Sequence, residues 1–90
     1  MVNYYEEFQK AEQLGEGSIR DLYYVLLSEV ESEKNVSKVN ALFNVIYDGK
    51  LFAKYGDKKI YEEIETDLIY WMKENCELNE YGEAVSFKGE

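Results

Sequence analysis

Four carboxylates stand close together at Glu62, Glu63, Glu65 and Asp67, and they are the residues of this chain best spaced to do chemistry. Clustered acids can hold Ca²⁺, but a calcium loop needs oxygen ligands at alternate positions, a central glycine and a closing glutamate, and no such run occurs here. Glycoside hydrolysis would require a cleft with one carboxyl desolvated, and ninety residues leave little room for a cleft. We therefore expect no metal site and no catalytic acid pair, and interpret these acids as a solvated helix face.

Other catalytic machinery is equally sparse. The chain has one cysteine, Cys76, and no histidine, which removes the commonest general base and transition-metal ligand. Glu74 and Glu77 stand beside Cys76 and disfavour its thiolate. The run Gly15-Glu16-Gly17 lacks the lysine of a phosphate loop and places a glutamate where the phosphate would bind. We predict a protein that is not an enzyme and needs no cofactor.

The elements that carry these residues are predicted to be helices. Residues 3–14 have apolar side chains at offsets of three and four, and this helix should end before Gly15. Ser18 is a candidate N-cap for the second helix. The apolar stripe of that helix consists of Ile19, Leu22, Tyr23, Leu26, Leu27 and Val30.

Two further helices follow by the same spacing. Residues 36–48 form the third, and Gly49 is placed to end it. Asp57 is a plausible cap for a fourth helix of about five turns. The residues whose spacing defines this helix are Ile60, Tyr61, Ile64, Leu68, Trp71, Met72 and Asn75.

A β-hairpin near 43–55 competes with the third helix, since Asp48-Gly49 is a favourable two-residue hairpin turn. Residues 84–87 form a strand if they find a partner. The fold class predicted is mainly α, a single domain over 1–90 with three to four helices, and the alternative is α+β.

The longest uninterrupted apolar run, Leu22 to Leu27, is far shorter than the roughly 20 residues that cross a bilayer. The amino terminus lacks the basic start and apolar stretch of an export signal. With one cysteine no internal disulfide forms, and we expect a cytoplasmic protein that does not enter membranes.

Charge is distributed in blocks along the chain, whose net charge is −9. Residues 1–33 carry −6, residues 34–59 carry +4, and residues 60–90 carry −7. Such a chain is repelled by nucleic-acid phosphates, so we expect no direct nucleic-acid binding. Helix dipoles favour bases at the carboxyl end, yet acids accumulate where the second and fourth helices are predicted to finish. Solubility explains a negative total more easily than this arrangement.

Aromatic residues are the second unusual feature, with nine tyrosines, four phenylalanines and one tryptophan. Tyr23, Tyr61 and Trp71 fall on apolar stripes and are interpreted as core residues. Three tyrosines lie off the stripes and are candidates for a partner surface, because tyrosine is common at protein interfaces. These candidates are Tyr24, Tyr70 and Tyr81.

Acids three and four residues apart on a helix stand about 5–6 Å apart, close to the interval between phosphates of a nucleic-acid strand. Two such helices side by side would present two acidic rows to a basic DNA-binding protein. The candidate partner-binding acids are Glu29, Glu31, Glu33, Glu62, Glu63, Glu65, Asp67, Glu74, Glu77 and Glu80. The lysines of residues 34–59 would then face away from the partner or pair with a second subunit.

In size, charge, lack of His and Pro, and helix-borne acids such as those of residues 62–67, the chain resembles the small acidic DNA-mimic inhibitors encoded by bacteriophages. It is similar in style to the anti-restriction proteins of T-even phages. The resemblance implies inhibition of a restriction nuclease, CRISPR nuclease or nucleoid protein in the host cytoplasm. A homodimer is expected, because one short domain spans only a few base pairs of imitation. The alternative is an acidic adaptor or regulator that binds a protein partner through a tyrosine-rich face.

Overall fold

Four helices and a carboxyl-terminal hairpin make up the computed structural model, which describes residues 3–89 apart from the side chains of Glu16 and Tyr55. The elements are α1 (Tyr4–Leu14), α2 (Glu16–Glu33), α3 (Val36–Phe52), α4 (Tyr55–Asn75), β1 (Cys76–Leu78) and β2 (Ala84–Phe87). This confirms the mainly α fold and the strand at 84–87. The hairpin near 43–55 is wrong, because α3 runs through most of that segment.

Helix starts differ from those that the sequence suggested. Asn3 and Asn35 cap α1 and α3 through their side-chain oxygens. Helix α2 begins directly after Gly15, so Ser18 lies inside its first turn, and Gly15 supplies no side-chain cap. Helix α4 begins two residues before Asp57, which therefore lies in the first turn. A carboxylate at that position still interacts favourably with the helix dipole. Both predicted caps were therefore wrong.

The predicted apolar stripes of all four helices contribute to one core, but Tyr5 and Leu14 of the first stripe and Tyr47 of the third are exposed. Buried residues include Phe8 of α1, Tyr23 of α2, Leu42 of α3 and Leu68 of α4, and burial of each such large side chain stabilises the fold by about 1.5–3 kcal/mol. Trp71 is half-buried and packs against this core. Tyr23 and Tyr61 are buried, as their positions on the stripes predicted.

Helix α3 does not end at Gly49 as predicted but continues one turn further, to Phe52. The ring of Tyr61 in α4 stands against the backbone at Gly49, and a Cβ there would lie 2.5 Å from it. The glycine thus allows close packing of α3 and α4 inside the helix, and it does not mark the end of α3.

The two strands pair antiparallel, with Cys76 opposite Phe87 and an irregularity after Glu77. The Asn40 side chain of α3 donates to the carbonyl of Ala84 and accepts from its N–H, both at 2.9 Å. These two bonds attach the hairpin to α3, and the Phe87 ring meets Trp71 edge to face.

Within residues 3–89, none of the helices combines the length and the apolar character that crossing a bilayer requires.

Candidate acidic interface

Helices α2 and α4 contact each other, and the hydrogen bonds between them advance along both helices in the same direction. Three side chains donate hydrogen bonds to acids across the groove between them: Arg20 to Glu63 at 2.5 Å, Tyr23 to Asp67 at 2.5 Å, and Trp71 to Glu31 at 3.1 Å. Glu74 follows Asp67 by seven residues and lies on the same stripe of α4. We call Glu31, Glu63, Asp67 and Glu74 the seam acids.

On α4 three of the seam acids form a row. Glu63, Asp67 and Glu74 are exposed, and the exposed Tyr70 stands between the last two. With a rise of 1.5 Å per residue, the axial step is about 6 Å from Glu63 to Asp67 and about 10.5 Å from Asp67 to Glu74. Helical geometry therefore places three carboxylates along one line on the surface.

The contact between Tyr23 and Asp67 fixes part of this row. Tyr23 is fully buried, and burial together with the hydrogen bond to Asp67 raises the pKa of its phenol well above the usual value. The phenol is therefore a permanent donor near neutral pH. It orients the carboxylate of Asp67 without neutralising its charge.

Bases near the row are few. Arg20 pairs with Glu63, but both side chains are almost half exposed, so this pair contributes about 0–1 kcal/mol. Lys59, one turn before Glu63, and Lys73, beside Glu74, flank the row at its two ends. The middle of the row, around Asp67, has no ion-pair partner among the described residues.

Two other acids of α2 lie on a different side from Glu31. Glu33 pairs with Lys38 at 2.6 Å, and both Glu29 and Glu33 are close enough to Tyr4 of α1 to raise the pKa of its phenol, which burial raises most. The acids at 29, 31 and 33 therefore do not form one row along α2. Helical geometry alternates them between the α4 side and the α1 side.

On α4, Glu65 points to α3, where Lys50 lies 3.0 Å away. Glu62 is exposed and precedes Glu65 by one turn, so it belongs to the same side. Lysines of residues 34–59 thus pair with Glu33 and Glu65 inside the chain. Neither lysine pairs with a seam acid, and the expectation that the lysines of residues 34–59 face away from the partner or pair with a second subunit stays a prediction.

Glu77 and Glu80 lie outside α4, on β1 and in the turn that follows. Their expected place at the carboxyl end of the long helix is therefore wrong, since α4 ends at Asn75 and its last turn contains Lys73. Lys88 also donates to the carbonyl of Lys73 at 2.6 Å. The conflict with the helix dipole is consequently smaller on α4 than the sequence suggested.

The three tyrosines predicted at a partner surface are all exposed: Tyr24 by 53%, Tyr70 by 66% and Tyr81 by 80%. Tyr24 and Tyr70 lie on α2 and α4, whereas Tyr81 lies at the hairpin turn. Phe52, exposed by 81%, was missed. The sequence does not single out Phe52 because the third helix is predicted to end before it, although its position beyond the apolar stripe of α3 is a signal of exposure.

Among the described residues, no group of three or more acids or cysteines is arranged to hold a metal ion. No protein family, curated protein or solved structure matches this chain. The class of protein is thus defined by its own geometry: a four-helix domain with a hairpin, and an acidic row along α4 beside α2.

Proposed function

We propose that this protein is an acidic DNA mimic that binds a basic DNA-binding protein and inhibits it by occupying its DNA-binding surface. The observation that carries the proposal is the row of Glu63, Asp67 and Glu74 along α4. A DNA strand advances about 3.4 Å along its axis per phosphate, so two and three steps span about 6.8 and 10.2 Å. The axial steps within the row, about 6 and 10.5 Å, approximate those two intervals.

Charge distribution supports the same proposal. Lys38 and Lys50 on α3 pair with Glu33 of α2 and Glu65 of α4, which are not seam acids. The seam acids are left with Arg20 as the one base that pairs with them within residues 3–89. A partner with a positive groove would be steered to this side of the molecule, since complementary potentials accelerate encounter.

The target is proposed to be a restriction nuclease, a CRISPR nuclease or a nucleoid protein, and the gene a phage anti-restriction gene whose product acts in the host cytoplasm. A homodimer would lengthen the imitation, since one row on α4 covers only about 16.5 Å from Glu63 to Glu74. Catalysis forms no part of this function.

The experiment measures binding to a panel of purified restriction nucleases, CRISPR nucleases and nucleoid proteins. Binding should weaken steeply between low and high salt, and duplex DNA should displace the protein. Glu63→Gln, Asp67→Asn and Glu74→Gln combined should weaken binding about tenfold or more. Glu29→Gln, Glu62→Gln and Glu77→Gln combined change the net charge equally and should weaken it much less. Equal effects of the two sets, or a complex unaffected by DNA, would refute mimicry through this row.

A second candidate is an adaptor that binds a protein partner through tyrosines, and the exposure of Tyr24 and Tyr70 favours it. The ring of Tyr24 packs on Tyr23, with centroids 5.1 Å apart, which limits the entropy lost on binding. This function predicts a complex that survives high salt. It also predicts that Tyr24→Ser and Tyr70→Ser abolish binding. The variant that combines Glu63→Gln, Asp67→Asn and Glu74→Gln should then bind normally.

A further inference from the structure

An open cleft of about 310 Å³ lies between α1, α3 and the beginning of α4, although the sequence suggested little room for one. Two tyrosine–carboxylate pairs line it. The hydroxyl of Tyr61 donates to Glu12 at 2.7 Å, and the hydroxyl of Tyr5 donates to Asp48. The cleft is separate from the seam acids, which lie on α2 and α4.

Neither tyrosine brings a positive charge to its carboxylate. A phenol donates one hydrogen bond, to a single carboxylate oxygen, and carries no positive charge. Burial and the bond to Glu12 raise the pKa of Tyr61, and the bond to Asp48 raises the pKa of Tyr5, so both remain neutral donors near pH 7. None of the described residues that line the cleft is basic. Two half-buried anions therefore lack a cationic partner in the cleft.

Aromatic rings form the walls around these anions. Phe8 and Tyr61 pack together with ring centroids 5.9 Å apart, and Phe52 stands at the rim with 81% of its surface exposed. Gly49 carries no side chain and leaves room for the ring of Tyr61. Aromatic faces attract cations, most strongly where water is partly excluded. Each wall of the cleft carries both kinds of group, since Phe8 and Glu12 lie on α1 while Asp48 and Phe52 lie on α3. Rings and carboxylates here favour the same kind of ligand.

We propose that this cleft binds an alkylammonium or alkylguanidinium group, the chemistry of a lysine or arginine side chain and of polyamines. The charged head would bond to the free oxygens of Glu12 and Asp48. The alkyl stem would lie against Phe8 and Phe52. The cleft volume of about 310 Å³ lies at the lower end of the range for ligand pockets, which suits one such group. This site does not depend on the proposed DNA mimicry.

The test is an NMR titration of the full chain with n-butylammonium and n-butylguanidinium. Saturable shifts should appear at the amides of Gly49 and Ala53 and in the ring of Tyr61. Neutral 1-pentanol and anionic butyrate are matched ligands, and each should bind at least about tenfold more weakly. If 1-pentanol produced shifts as large as those of n-butylammonium, the cleft would be merely apolar. That result with the wild-type chain alone would overturn the proposal.

Glu12→Gln combined with Asp48→Asn keeps both acceptors for the tyrosines and should weaken n-butylammonium binding about tenfold or more. Glu29→Gln combined with Glu62→Gln raises the net charge by the same amount elsewhere and should leave binding within about twofold. Equal weakening by both pairs would mean that general charge attraction, not this cleft, holds the cation. A comparison of spermidine with a blocked lysine peptide distinguishes the two sources of such a group. Tighter binding of spermidine would indicate a polyamine ligand, and tighter binding of the peptide would indicate a protein side chain.

Discussion

The ring of Tyr61 on α4 occupies the space that a side chain at Gly49 on α3 would need. A Cβ at Gly49 would lie 2.5 Å from Cε1 of Tyr61, closer than packed atoms approach. Tyr61 is itself buried and hydrogen-bonded to Glu12, so its ring has little freedom to move away. The packing of α3 on α4 at this point therefore depends on one glycine and one tyrosine.

Gly49→Ala is expected to lower the free energy of unfolding by about 1–3 kcal/mol, because the clash outweighs the helix propensity gained. Urea denaturation measures the change. Gly17→Ala is the matched control, since a Cβ there has open space around it and should leave stability equal or raise it by up to about 1 kcal/mol. If both variants gain stability, the ring of Tyr61 does not restrict Gly49.

Asn40→Ala should cost about 1–3 kcal/mol, because it leaves the N–H and carbonyl of Ala84 without their partners. Hydrogen exchange should show the Ala84 amide opening faster than the core amides of α4. Asn44→Ala removes an exposed amide one turn later on α3 and should change neither quantity. Unchanged exchange at Ala84 in the Asn40 variant would contradict this attachment of the hairpin.

Alkaline pH should destabilise the protein through Tyr23 and Tyr61. Their pKa values are raised in the folded state, chiefly by burial, so the unfolded chain loses these protons first. Each tyrosine makes its full contribution to the free energy of unfolding below about pH 10, the pKa of an unfolded tyrosine. Above that pH the free energy of unfolding falls by about 1.4 kcal/mol per pH unit for each of the two tyrosines.

Urea denaturation between pH 8 and 11.5 measures this loss. Tyr23→Phe or Tyr61→Phe should reduce the slope above pH 10 by about 1.4 kcal/mol per unit. Tyr70→Phe removes an exposed tyrosine and should keep the wild-type slope. Identical slopes for all three variants would show that ionisation of the buried phenols does not govern alkaline unfolding.

Two ion pairs should differ in their contribution to stability. Arg20→Gln should cost less than about 1 kcal/mol, because its pair with Glu63 is exposed and screened. Lys50→Gln should cost more, about 1–2 kcal/mol, since Glu65 is mostly buried and the Lys50 ammonium also lies 4.6 Å from the ring centre of Tyr47. Thermal unfolding at low and high salt compares the two, and the reverse order would contradict this account.

The positions of the helices could be predicted because each carries an apolar stripe at helical spacing. Residues such as Leu42 and Leu68 are buried whichever helix they pack against. The residues at which the helices begin could not be predicted. Ser18 and Asp57 are good cap residues, but the backbone begins each helix two residues earlier, where the preceding turn and core packing place it. Strand β1 could not be predicted either, because three residues are too few to show the alternating pattern of a strand, and only the pairing with β2 reveals it.

The candidate functional residues, too, were predictable from the sequence only in part. The exposure of Tyr24, Tyr70 and Tyr81 followed from their positions off the apolar stripes. The cleft at Glu12 and Asp48 could not be foreseen, since these residues lie on different helices and nothing in their local sequence brings them together.

The sequence by itself determined the helical class, the large buried stripes and the net charge of −9, because these depend on local spacing and composition. Only the tertiary structure decided which acids share a surface. Glu31 turns to α4 while Glu33 pairs with Lys38, and Glu65 turns to α3 while Asp67 lies beside α2. The direction of a helical side chain is local, but the neighbour it meets is set by how the helices pack, and that packing decides which carboxylates remain unneutralised.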